Sequence, residues 1–332
     1  MKAMLSHRIG GPETLELEEL PDPQPGAGEV LLAVKACGVN YPDLLIIEDR
    51  YQFKPPRPFA PGGEVAGVIE GVGPDVGSWK RGDRVIGSVI AGGMAEKLVV
   101  AADQCIAMPA SMPFDEASAL VLTYGTSIYA LKDRAKLKAG ETLLVLGAAG
   151  GVGVSAVELG KAYGARVIAA VSSEEKLAFA KQHGADDGVV YPTGPFDRAA
   201  AKGLADIFKA ACGENGADVI YDPVGGDYSE AALRAIAWEG RFLVVGFPAG
   251  IARLPLNLTL LKSCQVVGVF WGAFSRRDPK ANAANIVELM QLYAKGAIKP
   301  VVSEHYPLAK AGEAIARLGL RKAMGKIVVT ME

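Results

Sequence analysis

Apolar and polar positions follow two different patterns along the chain, and the change falls near Pro113. Before it, short apolar runs are broken by glycine and proline. Residues 29–40 begin as a strand, and residues 62–73 read as a strand punctuated by glycines, a pattern of strongly curved, barrel-like sheet. Residues 79–86 form a tight turn feeding another strand, and residues 94–100 are one more. The clusters Pro21-Asp22-Pro23-Gln24-Pro25-Gly26 and Pro55-Pro56-Arg57-Pro58 are loops. No long helical period occurs in this part. Residues 114–132 then take up helical spacing, with a break expected at Thr123-Tyr124-Gly125-Thr126.

From residue 142 strands and helices alternate. Strands are predicted over 142–146, 166–171, 189–191, 217–222, 240–246 and 265–270. Helices are predicted after the glycine cluster to Tyr163, and over 174–182, 199–211 and 228–238. This alternation implies a parallel sheet covered on both faces. A helix over 282–295 and a closing strand over 326–330 follow. The closing strand needs a sheet to pair with, and the α/β set is complete without it, so it is assigned to the first sheet. The domains expected are therefore a β-rich one of residues 1–122 plus 262–332 and an α/β one of residues 123–261. Two domains also suit a length of 332 residues.

The strand at 142–146 runs into Gly147-Ala148-Ala149-Gly150-Gly151-Val152-Gly153, and a second strand follows the helix. Strand, glycine turn, helix, strand is the unit that takes the pyrophosphate of a dinucleotide. Glycines let the phosphates approach the backbone, and the helix N-terminus offers unpaired N–H groups and partial positive charge. Thr126, Gly150, Gly151 and Val152 are expected along the pyrophosphate and the nicotinamide ribose. NAD-binding folds place an acid about 20 residues beyond the turn. Here Ser172, 19 positions beyond Gly153, and Ser173 occupy that place, with Lys176 nearby. Hydroxyls and an ammonium suit a 2′-phosphate, which a carboxylate would repel. Glu174 and Glu175 are read as first-turn acids of the next helix. Gly246 and Phe247, and Phe270, Trp271 and Gly272, fall at strand ends, where open α/β sheets bind ligands. For the aromatic residues the alternative is a place in the core. The last strand, near 265–270, is an edge on which a second copy of the chain can pair, giving a homodimer.

Half of the residues are hydrophobic, 22% are charged and the formal net charge is −2. That balance gives no footprint for nucleic acid or a membrane surface. No apolar stretch reaches the roughly 18 residues of a spanning helix, and residues 1–8 lack an apolar signal core, so a cytoplasmic location is the expectation. Cys37, Cys105, Cys212 and Cys264 are scattered, as are His7, His183 and His305. Nothing has the short-range spacing of a zinc site, so buried reduced thiols and no metal are expected.

The whole chain resembles the medium-chain dehydrogenase/reductase superfamily, and within it the zinc-independent quinone oxidoreductases, the ζ-crystallin-like group. The resemblance rests on Gly38-Val39-Asn40-Tyr41-Pro42-Asp43, Pro61-Gly62-Gly63-Glu64-Val65-Ala66-Gly67, Gly82-Asp83-Arg84-Val85, the glycine turn, and Gly325-Lys326-Ile327-Val328, in the family's order. It implies a Rossmann-type doubly wound domain inserted in a β-rich, GroES-like catalytic domain. Zinc alcohol dehydrogenases carry a ligand cysteine where this chain has Asn40, and a ligand histidine where it has Gly63. Their cysteine-rich lobe is replaced by Ile90-Ala91-Gly92-Gly93-Met94. The resemblance therefore implies chemistry without zinc. Lacking a Lewis acid to hold an alkoxide, the site suits electron-poor acceptors.

The resemblance also assigns residues. Lys176 and Tyr191 match a lysine and a tyrosine that flank the phosphate of NADPH; the alternatives are a solvated helix lysine and a strand aromatic. Lys322 falls near a basic residue that helps hold the phosphate in some relatives. Asn40 is placed to donate to a substrate carbonyl or to the nicotinamide amide, or else caps a strand end. Asp43 and Tyr51 follow it, and Tyr51 aligns with a tyrosine lining the family's site. Leu45 stands where some relatives have another tyrosine, leaving the pocket more apolar. The function implied is NADPH-dependent hydride transfer to a quinone between the two domains. Reduction of conjugated C=C bonds in enones, alkenals or enoyl-CoA thioesters is a second reading. A third class is an NADPH-binding structural or nucleic-acid-binding protein, and the charge of −2 argues against the nucleic-acid role.

Overall fold

The computed structural model describes residues 1–320 and 323–331. The chain divides into two compact units, one of Met1–Leu122 with Pro300–Glu332 and one of Thr123–Lys299.

The first unit is built on a seven-stranded sheet. Its centre is Glu29–Val39, which pairs antiparallel with Glu64–Val72, Lys97–Ala101 and Lys326–Thr330. One strand serves three neighbours because it bends: its register with Glu64–Val72 shifts twice, between Leu31 and Leu32 and between Val34 and Ala36. Arg84–Ser88, Cys105–Ala107 and Val302–Pro307 complete the sheet. Leu32, Val34, Val65, Ile69, Val85, Met94, Ile327 and Val329 fill the interior. The closing strand does join this sheet, pairing Ile327 with Val39. The short helix Tyr41–Ile47 leaves the end of the central strand and buries Ile46 and Ile47.

The second unit holds a six-stranded sheet in which every pair is parallel. Its spatial order is Asp187–Val190, Arg166–Val171, Thr142–Leu146, Ala217–Asp222, Ile236–Val244, Gln265–Gly268. In chain order that is 3-2-1-4-5-6, the doubly wound dinucleotide-binding arrangement. The order reverses between Thr142–Leu146 and Ala217–Asp222, and a ligand crevice opens at the carboxyl ends of strands at such a point.

Three expectations are corrected. The second boundary falls at 299/300 and not at 261/262, because Gln265–Gly268 pairs with the strand before it and extends the parallel sheet. The helix Val121–Ile128 runs through Gly125 without a break. Gly125 is there for proximity: a Cβ on it would lie 2.9 Å from Cε2 of the Trp271 indole. Helix Asp227–Leu233 is shorter than the apolar period suggested, because Ile236 already belongs to the next strand.

Candidate active site

Unspent backbone donors mark the start of the dinucleotide crevice. Helix Gly151–Ala162 begins at Gly150, with no side chain capping its first N–H groups. A Cβ on Gly150 would meet nothing nearer than the Gly147 carbonyl oxygen at 3.5 Å, so the space before the helix is open. Gly153 has the opposite reason. A Cβ there would sit 2.1 Å from the Gly147 oxygen, so only glycine lets the helix pack this close to its turn. The helix dipole and free N–H groups together make an anion site.

At the end of the neighbouring strand Arg166–Val171, the Lys176 ammonium donates to Ser172 Oγ at 3.3 Å. Ser173 caps helix Glu174–Gln182 by accepting from the Lys176 N–H, which brings Lys176 back over the strand end. Burial holds the Lys176 pKa below that of an ordinary lysine. Glu174 and Glu175 do lie in the first helical turn. The Tyr191 N–H donates to the Val171 carbonyl, next to this pair. Its ring, however, is buried, with ring centres 5.1 Å from Tyr228 and 6.0 Å from Phe208. That packing, and not an exposed face, is what the structure gives Tyr191.

Two loops follow the carboxyl ends of the fourth and fifth strands of this sheet, and the residue that organises them, Asp222, carries no role in the sequence reading. It is the last residue of Ala217–Asp222 and is buried. One carboxylate oxygen accepts from the N–H groups of Val224 and Gly225, each at 2.9 Å, and the other from Ser229 Oγ at 2.5 Å. Burial raises its pKa against those bonds. The loop so formed grips residues 246–250: Gly226 N–H donates to Gly250 O, and Ala249 N–H to Val224 O. Phe247 sits in that second loop, half exposed. A carboxylate at the carboxyl end of the fourth strand was the signal available in the sequence.

Thr126 lies on helix Val121–Ile128 and Val152 in the first turn of Gly151–Ala162. Phe270 is exposed just before helix Trp271–Arg277, and Gly272 is in that helix. Trp271 is buried, packed on Gly125, and its indole N–H donates to Asn282 Oδ1 at 3.0 Å. It is a core residue. Lys322 lies outside the described residues.

In the first unit the structure brings Asn40 and Asp43 together with Glu64 and Lys326. The Asn40 amide Nδ2 donates to Gly38 O at 3.1 Å and to Glu64 Oε2 at 3.2 Å. Both amide protons are thus spent inside the unit, which corrects the expectation of a donor free for substrate. The Asp43 carboxylate accepts from the N–H groups of Asn40 at 2.7 Å and Gly62 at 3.2 Å, tying the helix start to the Gly62 loop. Burial pushes its pKa up to about 6. Tyr51 packs against the core of this unit, its ring centre 6.0 Å from that of Phe53. Leu45 is half-buried in Tyr41–Ile47. Among the described residues, one group, His7, Glu16 and Glu18, has metal-ligating atoms converging, and it lies on the surface hairpin of Lys2–Leu5 and Glu16–Glu19.

Comparison with known proteins agrees with this geometry. The alcohol dehydrogenase GroES-like domain matches residues 26–110, and the zinc-binding dehydrogenase family matches residues 151–289. The quinone oxidoreductase-like protein 2 homolog of Nematostella vectensis is 36% identical, over 99% of this chain and 88% of its own length. The chain belongs to the quinone oxidoreductase family of the medium-chain dehydrogenase/reductase superfamily. Among solved structures, the Escherichia coli quinone oxidoreductase complexed with NADPH superposes with a TM-score of 0.88 at 29% identity, over 99% of this chain and all of that one. The CurK enoyl reductase superposes with a TM-score of 0.86 at 26% identity, over all of this chain and 99% of that one. The protein is therefore an oxidoreductase of the quinone oxidoreductase family, with a GroES-like and a Rossmann-type domain. No helix among the described residues is long and apolar enough to cross a membrane.

Proposed function

We propose that this oxidoreductase is an NADPH:quinone reductase that works without zinc. The observation that carries the cofactor is the Lys176–Ser172 pair beside the glycine turn. It sets an ammonium and a hydroxyl where an NAD-specific fold has a carboxylate, and relatives of this fold have been solved with NADPH bound. The first N–H groups of Gly151–Ala162 would hold the pyrophosphate, and Lys176 and Ser172 the 2′-phosphate. The loops built on Asp222 would shape the nicotinamide end. When bound, NADPH supplies the hydride.

Absence of zinc is supported by Asn40 and Gly63 in place of metal ligands, and by the Lys326 ammonium beside Asn40, which repels a second cation. With no Lewis acid, the acceptor must carry the added charge itself, as a quinone does. Tyr51 or water would supply the proton. A second reading, reduction of a conjugated C=C bond, is favoured by the likeness to an enoyl reductase. A homodimer is supported by Gln265–Gly268, which ends the sheet with one side unpaired among the described residues and Val266 exposed.

The test is NADPH oxidation measured against 1,4-benzoquinone, 9,10-phenanthrenequinone, an alkenal and crotonyl-CoA, with zinc analysis of the same preparation. Turnover with the quinones and no stoichiometric zinc is expected. Turnover confined to the alkenal or the thioester would select the second reading, and one tightly held zinc per chain would end the zinc-free one.

A further inference from the structure

The first unit buries a charged cluster whose extent no local feature of the sequence announces. Lys326 is 4% exposed, Glu64 1%, Asn40 5% and Asp43 2%. The Lys326 ammonium donates to Asn40 Oδ1 at 2.5 Å and Val39 O at 3.1 Å, and contacts Glu64 Oε2 at 3.4 Å. Three directions use all the donors a lysine has. Glu64 takes the Asn40 amide on the same oxygen and the Leu122 N–H on the other, at 2.9 Å. Taking an ammonium and a carboxylate out of water costs several kcal/mol each, and packed apolar side chains would hold the same segments at least as firmly. What charge adds is direction. With oxygen facing the ammonium and nitrogen facing the carboxylate, the Asn40 amide has one allowed orientation; turned over, it would set NH₂ against NH₃⁺ and oxygen against oxygen.

We propose that Lys326, paired with Glu64, is a positioning residue that fixes the Asn40 amide and, through it, the start of helix Tyr41–Ile47. Asn40 opens that helix, its N–H bound to Asp43, so the orientation of its side chain and the helix entry are set together. The C-terminal strand thus disciplines a residue 286 positions away in sequence. The proposal rests on the reading that the helix Asn40 opens, with Tyr51 beyond it, lines the place of the hydride acceptor, while Asn40 itself stays bound within the cluster. Misplacement of about 1 Å near reacting groups can cost about 100-fold in rate.

The deciding variant is the double Lys326→Met, Glu64→Gln, which removes both charges and leaves neither unpaired. Two readouts apply: kcat with the preferred acceptor alongside the Kd for NADPH, and solvent exchange of the Asn40 side-chain NH₂ by NMR. In the wild type the NH₂ should exchange slowly. In the double variant exchange should quicken about 10-fold or more, and kcat should fall about 10-fold with the NADPH Kd within about twofold. Lys326→Met alone should fall further, and because the ammonium holds the Asp43 pKa down, its acid limb in the pH–rate profile should move upward. It leaves Glu64 and Asp43 as neighbouring buried carboxylates without a cation. The double variant should lack that shift, a pattern that mere loss of stability would not give. A folded double variant with wild-type kcat and slow exchange overturns the proposal. So does a double variant that fails to fold, which would assign the pair to stability. If the wild type reduces no acceptor, the functional reading fails, while the exchange measurement still decides whether Lys326 orients Asn40.

Discussion

Replacing Lys176 by alanine should convert the protein from an NADPH enzyme into one nearly indifferent to the 2′-phosphate. The ammonium lies 3.3 Å from Ser172 Oγ, at the strand end where the adenosine ribose is read. Two unit charges about 4 Å apart interact by about 1 kcal/mol in water and about 4 kcal/mol at an effective dielectric of about 20. Lys176 is half-buried, so the value falls between these limits, and a charge-assisted hydrogen bond of about 2–3 kcal/mol is the working figure. At 1.4 kcal/mol per tenfold, the KM for NADPH should rise roughly 30- to 150-fold. NADH has no 2′-phosphate, and its KM should move by less than about twofold. The ammonium is partly stripped of water before any ligand arrives, which lowers the cost of meeting an anion. Steady-state kinetics with both cofactors at two salt concentrations gives the answer, since screening should shrink the NADPH effect and leave NADH alone. The companion variant Ser172→Asp should move preference toward NADH by placing a carboxylate where the phosphate would lie. Equal changes in KM for both cofactors in Lys176→Ala would refute the assignment, as would an unchanged ratio.

Gly153→Ala should lose about 1–3 kcal/mol of stability or more, because its Cβ would sit 2.1 Å from the Gly147 oxygen and push the helix off its turn. NADPH affinity should fall with it, and a variant with wild-type Tm and Kd would contradict the packing argument. Asp43 sets a pH dependence. Its folded pKa of about 6 exceeds the ordinary 3.8, so the folded state holds its proton longer. Stability therefore falls as pH rises from about 4 through about 6, by about 3 kcal/mol at full ionisation. Urea unfolding of the wild type and Asp43→Asn across that range should converge or cross with rising pH in that sense, and parallel profiles would sink the claim. Val266→Lys on the exposed edge strand should shift light scattering from a dimer toward a monomer, and no change in mass would discard that edge as the interface.

The sequence by itself determined the elements that repeat locally. Alternating apolar strands and helices from residue 142 specified a parallel sheet, because burial on both faces demands continuous apolar strands. The glycine turn and Ser172 were legible for the same reason: turn, helix start and strand end lie within 26 residues, from Gly147 to Ser172. Asn40 and Gly63 were legible only as replacements, by resemblance.

Tertiary structure decided what depends on distant partners. Gly125 looked like a helix breaker until Trp271 filled the space beside it. Residues 265–268 read as an edge strand but fell on the β-rich side of the boundary expected at 261/262, until pairing with Ile236–Val244 gave them to the parallel sheet. Trp271 and Tyr191 were placed at strand ends by the pattern, but their rings turn into packed interiors. The amide of Asn40 was read as free because its partners, Glu64 and Lys326, stand 24 and 286 positions away. Hydrophobic period and turn chemistry act between near neighbours and leave a local trace. A buried charge is satisfied by whatever the fold brings within about 3 Å, and no spacing along the chain records which residue that will be.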